Sequence, residues 1–296
     1  MIRSLTLTAE NGTTANLSLT DPWGQGVAIL KVDGLGPVKS DIFVTNYGAR
    51  SGGYYNGSRA AARDITLTLK PLGIDIERIR RWLYTLLPVQ GRVTLTVKTD
   101  YVELETVGYV ESFEPDIFSK FSTYTVGLRC PDPFFTETGS LINTTVELTN
   151  SGPLFEFPFS NPLYGQEIEF SRTLPRRQFF IIYDGQVSVG MVMTIFFKTD
   201  PGTYVLVRGG RGEYVKVLNP GGRMKAGGRL VLISEIGRRS AKYTDSAGQT
   251  TDLAWTTWEQ GDWPMLYPGE NSLSVDTQNG SDFTATVQYT KKFLGV

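Results

Sequence analysis

Leu128-Arg129-Cys130-Pro131-Asp132-Pro133-Phe134-Phe135 divides the chain and decides how the rest is read. The segment Thr123–Cys130 enters it with apolar residues at every second position, the period of a strand with one buried face. Two prolines flank Asp132 and end that strand, because neither has an N–H to give a sheet ladder. Upstream, Arg3–Thr8, Ala28–Val32, Asp64–Leu69 and Val93–Val97 show the same alternation. Gly- and Pro-rich turns punctuate them at Asp33-Gly34-Leu35-Gly36-Pro37, Ser51-Gly52-Gly53 and Asn56-Gly57. This pattern predicts antiparallel sheet. Downstream, Glu137–Ser140 reads as a linker. A second β-rich domain follows, from Val146–Leu148 to Thr284–Tyr289, with glycine turns at Gly209–Gly212, Gly221–Gly222 and Gly227–Gly228. Short strands between such turns predict a β-sandwich. The expected division is 1–137 and 138–296, in keeping with about 150 residues per domain.

One segment departs from the alternation. Between Asp75 and Leu87, Ile76, Ile79, Leu83, Leu86 and Leu87 recur at spacings of three and four, which predicts an amphipathic helix. Asp75 caps its start and Pro88 stops it. Arg78, Arg80 and Arg81 fall between the apolar positions and read as its solvated face.

Composition removes much enzyme chemistry. The 296 residues contain no histidine, so Ser-His-Asp and Cys-His catalysis and His-ligated zinc are excluded. One cysteine, Cys130, allows no intrachain disulfide and no CxxC site, and without a histidine base it reads as a small buried filler. The chain is 40% hydrophobic and 20% charged, enough apolar material for real cores. Its 29 basic and 30 acidic residues leave a net charge of −1, with no bulk attraction to nucleic acid or anionic membrane. The N-terminus lacks the apolar block of a signal peptide, and no stretch reaches the roughly 20 apolar residues of a membrane span. The expectation is a soluble cytosolic product, or one assembled there, without membrane insertion.

The remaining motifs have plain readings. Val207-Arg208-Gly209-Gly210-Arg211-Gly212 looks like an RGG box, but as a single copy between strands it predicts a hairpin turn. Gly222–Gly227 has P-loop spacing, yet Gly228 and Arg229 stand where Lys and Ser/Thr are needed. The close acids Glu103/Glu105, Glu111/Glu114/Asp116 and Glu167/Glu169 have glycosidase-like spacing with no aromatic cluster around them. Residues 172–242 carry 13 Lys/Arg against four Asp/Glu, and residues 243–290 carry seven Asp/Glu and no base. Lying side by side, these segments would neutralise one another. Trp255, Trp258 and Trp263 beside several acids read either as core and loop anchors or as a glycan contact.

Gly108-Tyr109-Val110-Glu111-Ser112-Phe113-Glu114, then Asp116-Ile117-Phe118-Ser119, then the Leu128–Phe135 segment resemble the distal tail protein (Dit) family of long-tailed, non-contractile bacteriophages. The Asp33–Pro37 turn, the Gly/Tyr/Arg loop Gly48–Arg63 and the helix extend the resemblance upstream. Leu266-Tyr267-Pro268-Gly269-Glu270-Asn271, like the family's Leu-x-Pro-Gly-x-Asn turn, extends it downstream. The resemblance implies a mainly β fold: an N-terminal β-sandwich with one helix and a projecting hairpin, and a C-terminal galectin-like β-sandwich. It implies a structural protein with no catalytic residues, metal or cofactor, located at the phage tail tip in the virion and in the host cytoplasm during assembly. Its expected partners are itself as a hexameric ring, the major tail tube protein, tail-tip and tape-measure proteins, and receptor-binding proteins. DNA would only pass through the channel. Gly52, Gly53, Tyr54, Tyr55 and Asn56 are the expected part of the ring seam, because Tyr offers rigid contact area and Gly lets strands approach. The alternative is a carbohydrate-binding tail module using Trp255, Trp258 and Trp263. With no room for an extra module and no histidine, direct host adhesion is the weaker expectation.

Overall fold

In the computed structural model the alternating segments are strands that bury every second residue. The structure describes residues 1–73, 75–116, 122–138, 144–149, 151–153, 171–173, 178–253, 258–260 and 262–296. The chain divides into two compact units, Met1–Gly139 with Lys292–Val296, and Ser140–Lys291. The last five residues, which the sequence reading leaves with the second domain, therefore belong to the first unit.

The first unit contains β1 (Ile2–Ala9), β2 (Thr14–Ser18), β3 (Val27–Asp33), β4 (Ser40–Asn46), β5 (Gly53–Ala60), β6 (Arg63–Pro71), α1 (Ile76–Leu86), β7 (Arg92–Thr99), β8 (Glu103–Pro115), β9 (Tyr124–Cys130) and β10 (Phe135–Glu137). Its main sheet is antiparallel in the order β2-β1-β7-β8-β9-β6-β3, and β10 pairs with β8. Leu5 and Leu7 of β1, Ile65, Leu67 and Leu69 of β6, and Val126 and Leu128 of β9 join one buried cluster. A sheet that aims every strand at one core must curl around it, and the end strands β2 and β3 accordingly come into contact. Helix α1 packs on β1 and β6 and adds Leu83 and Leu86 to the core. Each of these leucines contributes roughly 2 kcal/mol by leaving water. The Asp75 side chain accepts from the Arg78 N–H at 3.1 Å, as the capping argument requires.

Arg63 is the largest buried polar side chain of this unit, at 1% exposure. It opens β6 in phase with Ile65, Leu67 and Leu69, so the pleat turns it inward. Its guanidinium donates to four main-chain carbonyls: Nε to Pro133 at 2.7 Å, Nη1 to Gly34 at 2.5 Å and Gly36 at 2.6 Å, and Nη2 to Leu294 at 2.6 Å. Its plane lies over the Phe135 ring, 4.5 Å from the centroid. Burial lowers its pKa, opposed by Cys130 and Asp132. The two segments that mark the sequence, Asp33–Pro37 and Cys130–Phe135, thus meet on one side chain. Gly34 must be glycine here: its φ is +89°, and a Cβ would stand 2.0 Å from the Asp64 carbonyl oxygen.

Cys130 is buried beside Gly108, where a Cβ would lie 2.9 Å from its Sγ. The glycine that opens the Gly108–Glu114 motif therefore makes room for the thiol. Burial pushes the Cys130 pKa up, which removes the thiolate needed for reactivity.

The second unit contains β11 (Thr144–Thr149), β12 (Ser151–Pro153), β13 (Ser171–Thr173), β14 (Gln178–Tyr183), β15 (Val192–Phe197), β16 (Tyr204–Gly209), β17 (Tyr214–Leu218), β18 (Arg229–Ile233), β19 (Ser240–Thr244), β20 (Thr250–Asp252), β21 (Trp258–Gln260), β22 (Gly269–Thr277) and β23 (Phe283–Tyr289). A six-stranded sheet, β11-β23-β15-β18-β19-β20, and a five-stranded sheet, β14-β22-β16-β17-β21, supply one shared core. Ile195, Leu230 and Val287 come from the first sheet, and Ile181, Val207 and Leu273 from the second. This is the sandwich expected from the spacing of turns. In the Leu266–Asn271 turn, the Asn271 side chain donates to the Tyr267 and Gly269 carbonyls and accepts from the Tyr267 N–H. Among the described residues no helix is long and apolar enough to cross a membrane.

Arg63, Arg81 and Cys130 each give the first unit a measurable prediction. Replacing Arg63 by Met strands four carbonyls and should cost about 3 kcal/mol or more, read by urea unfolding with amide exchange in β6 and β9. Arg81→Ala, which removes an exposed pair with Glu77 at 2.7 Å, should change stability by less than about 0.5 kcal/mol. Cys130 should ignore an aromatic disulfide reagent in the native protein and react with one equivalent after denaturation.

Candidate functional site

Strands β4 and β5 form a separate two-stranded hairpin, inserted between the paired strands β3 and β6. Pairing runs from Ser40↔Ala60 to Asn46↔Gly53, with Val44 opposite Tyr55 and Thr45 opposite Tyr54. The register shifts between Phe43 and Val44, which leaves Asn56 as the extra residue. Its side chain donates to Thr45 Oγ1 at 2.6 Å. Ile42, Val44 and Tyr55 share one face; Phe43 and Tyr54 share the other. Both faces are open to solvent, with Ile42 and Tyr54 each 64% exposed and Tyr55 58%. Asp41 and Arg59 neutralise one another at 3.1 Å, and Arg59 stands over the Phe43 ring.

The glycines are required by geometry. Gly52 closes the turn at φ +96°. A Cβ on Gly53 would lie 2.5 Å from Val44 Cγ1 and 2.8 Å from the Thr45 oxygen. The five residues singled out in the sequence, Gly52 to Asn56, are thus a turn closure, a close strand approach, two exposed rings and a bulge. An isolated hairpin is at best marginally stable in water, and one that is apolar on both faces has nothing of its own to cover either. The sequence reading missed the contribution of β4: Ile42, Phe43 and Val44 form an unbroken apolar run that the alternation template passes over.

The other candidates sit differently. Trp263 is 1% exposed inside the core of the second unit, so it offers no ring face to a sugar, and the glycan-contact expectation is corrected for it. Trp258 begins β21, which pairs with β17; Trp255 lies outside the described residues. The acids Glu167 and Glu169 also lie outside them. Glu103 pairs with Lys98 at 3.2 Å, and Glu111 faces Arg129 at 4.0 Å. Glu105 is half-buried, and burial followed by repulsion from Glu103 raises its pKa, but it stands in a strand paired on both sides. Gly209–Gly212 is the β16–β17 hairpin turn, with Arg211 stacked 3.7 Å from the Tyr267 ring centroid. The basic and acidic segments of the second unit meet at Arg208–Asp276, 2.7 Å, and Lys242–Asp252, 3.2 Å. Among the described residues no three acids or cysteines gather as a metal-ligand set.

Comparison of folds finds the crystal structure of SPP1 Dit (gp 19.1), described as a paradigm of the hub adsorption apparatus in phages infecting Gram-positive bacteria. The match spans 98% of this chain and 99% of that one, at a TM-score of 0.62 and 17% identity. The chain has the fold of SPP1 Dit. A chain of the phage P2 baseplate in its activated conformation with Ca aligns over 100% of both chains, at a TM-score of 0.43 and 12% identity. No protein-family model and no curated protein matches the chain. The match covers both units.

Gly53→Val should abolish the hairpin alone. Amides of residues 40–60 should lose exchange protection, while those of β7 and β9 keep theirs.

Proposed function

We propose that this protein is the structural hub of a phage tail, forming a hexameric ring that joins the tail tube to the baseplate or tail tip. The observation that carries this reading is the Dit-like fold across the whole chain, both units included. The exposed hairpin supports it further. A ring uses heterologous contacts, in which one patch meets a different patch on the neighbour and the rotation closes. Tyr54 and Tyr55, with Ile42 and Val44, supply the rigid aromatic and apolar anchors that such a seam needs.

In this role residues 1–137 build the ring, and the galectin-like sandwich carries tail-tip or receptor-binding proteins. The ring meets the major tail protein on one side, and the tape-measure protein and DNA pass through its centre. A net charge of −1 suits a conduit, since a strongly basic wall would hold the polyanion by releasing its counterions. The protein works in the virion after assembly in the host cytoplasm.

Light scattering on the purified 32.8 kDa chain should give a species of about 197 kDa, six copies. The double variant Tyr54→Ala/Tyr55→Ala should run at the monomer mass with its melting temperature within about 2 °C of the parent. A variant that keeps the full ring would remove these residues from the seam. A parent that forms a closed dimer would refute the ring.

A further inference from the structure

The hairpin leaves the body of the first unit through two short arms, and what holds them comes from the far end of the chain. The outgoing arm is Gly34-Leu35-Gly36-Pro37, and three successive carbonyls along it are occupied. Gly34 and Gly36 accept from Arg63, and Leu35 accepts from the Val296 N–H at 3.1 Å. The returning arm, Ala61-Ala62, leads straight into Arg63. That guanidinium also holds the Leu294 carbonyl at 2.6 Å, so arm and closing segment share one buried cation.

The closing segment is itself fixed at several points. Lys292–Phe293, here β24, pairs with β10, with Phe293 opposite Phe135. Lys292 Nζ reaches Asp132 at 2.7 Å and stands over the Phe134 ring. A Cβ on Gly295 would lie 2.8 Å from the Leu35 oxygen and 3.0 Å from the Gly36 carbonyl carbon. The glycine is what lets the segment lie flat on the arm.

We propose that Lys292–Val296 is a strap that sets the direction of the β4–β5 hairpin, with Arg63 as the positioning residue joining strap to hairpin root. The hairpin has no core of its own, so its direction is set at its root. Of the five hydrogen bonds made by Arg63 and the Leu35 carbonyl, two run to the strap, at Leu294 and Val296. The strap follows directly on Lys291, the last residue of the second unit. Seating of the strap is therefore a step that couples completion of the second unit to the orientation of the proposed seam. The strap itself does not depend on the ring reading; only its use in assembly does.

The test measures hairpin direction in the monomer, at a dilution where no assembly forms. Spin labels at Ser51→Cys in the turn and Arg92→Cys at the start of β7 report the distance from hairpin to body. The native Cys130 is buried and stays unlabelled. The parent should give a narrow distance distribution. Deleting residues 293–296, or placing Gly295→Val against the Leu35 oxygen, should at least double its width, with amide exchange in β7 and β9 unchanged. If the deletion loosens the whole unit, Gly295→Val carries the test, because it acts only where the strap lies on Leu35 and Gly36. An unchanged width in Gly295→Val, with exchange showing residues 34–37 exposed, would overturn the proposal. A broadened hairpin in a chain that never forms rings would uphold the strap and count against the hub reading alone.

Discussion

The Arg63 guanidinium is the interaction on which the first unit depends. A buried cation is costly unless its N–H groups find strong acceptors. Here they find four carbonyls from three chain segments that lie far apart in sequence. Charge-assisted bonds of this kind are worth about twice a neutral one, and a fixed planar fork gives them direction. Lysine could not replace it, having one ammonium where the site needs a fork. The turn at Gly34–Gly36, the Pro133 stop after β9 and the closing segment are held in register by one residue.

That interaction also explains which parts of the sequence were legible. Period-2 alternation gives the strands because each buries one face, and the three-four spacing gives α1 because Leu83 and Leu86 must share a stripe. Asp75, Pro88 and the glycine turns act locally, so their meaning is local and readable. Arg63 acts through the tertiary fold. Its signal was its parity with Ile65, Leu67 and Leu69, which puts it on the inward face, but a strand read as starting at Asp64 leaves it in the preceding loop. Pairing of Lys292–Phe293 with Phe135–Glu137 had no signal at all: two residues are too few to show a period. Trp263 carries two readings in the sequence, and its burial fits the core anchor: the sandwich closes over it despite its acidic neighbours.

The same division runs through the candidate site. Gly52 to Asn56 could be picked out because tyrosines between glycines are costly to leave bare. Their partner strand could not, since Ile42-Phe43-Val44 looks like any buried run until the hairpin is seen to stand apart from the core. Among the described residues, Glu103, Glu105, Glu111 and Glu114 lie along β8, with Glu103 paired to Lys98 and Glu111 facing Arg129. What the structure offers is an apolar hairpin, open on both faces, whose root is held by Arg63.

The central claim is a closed ring of identical copies, and electron microscopy of the purified protein addresses it directly. Class averages should show sixfold rings with an open centre, with the β4–β5 hairpin of each copy lying against its neighbour at higher resolution. Twofold particles, or rings in which that hairpin stands free in solvent, would contradict the account.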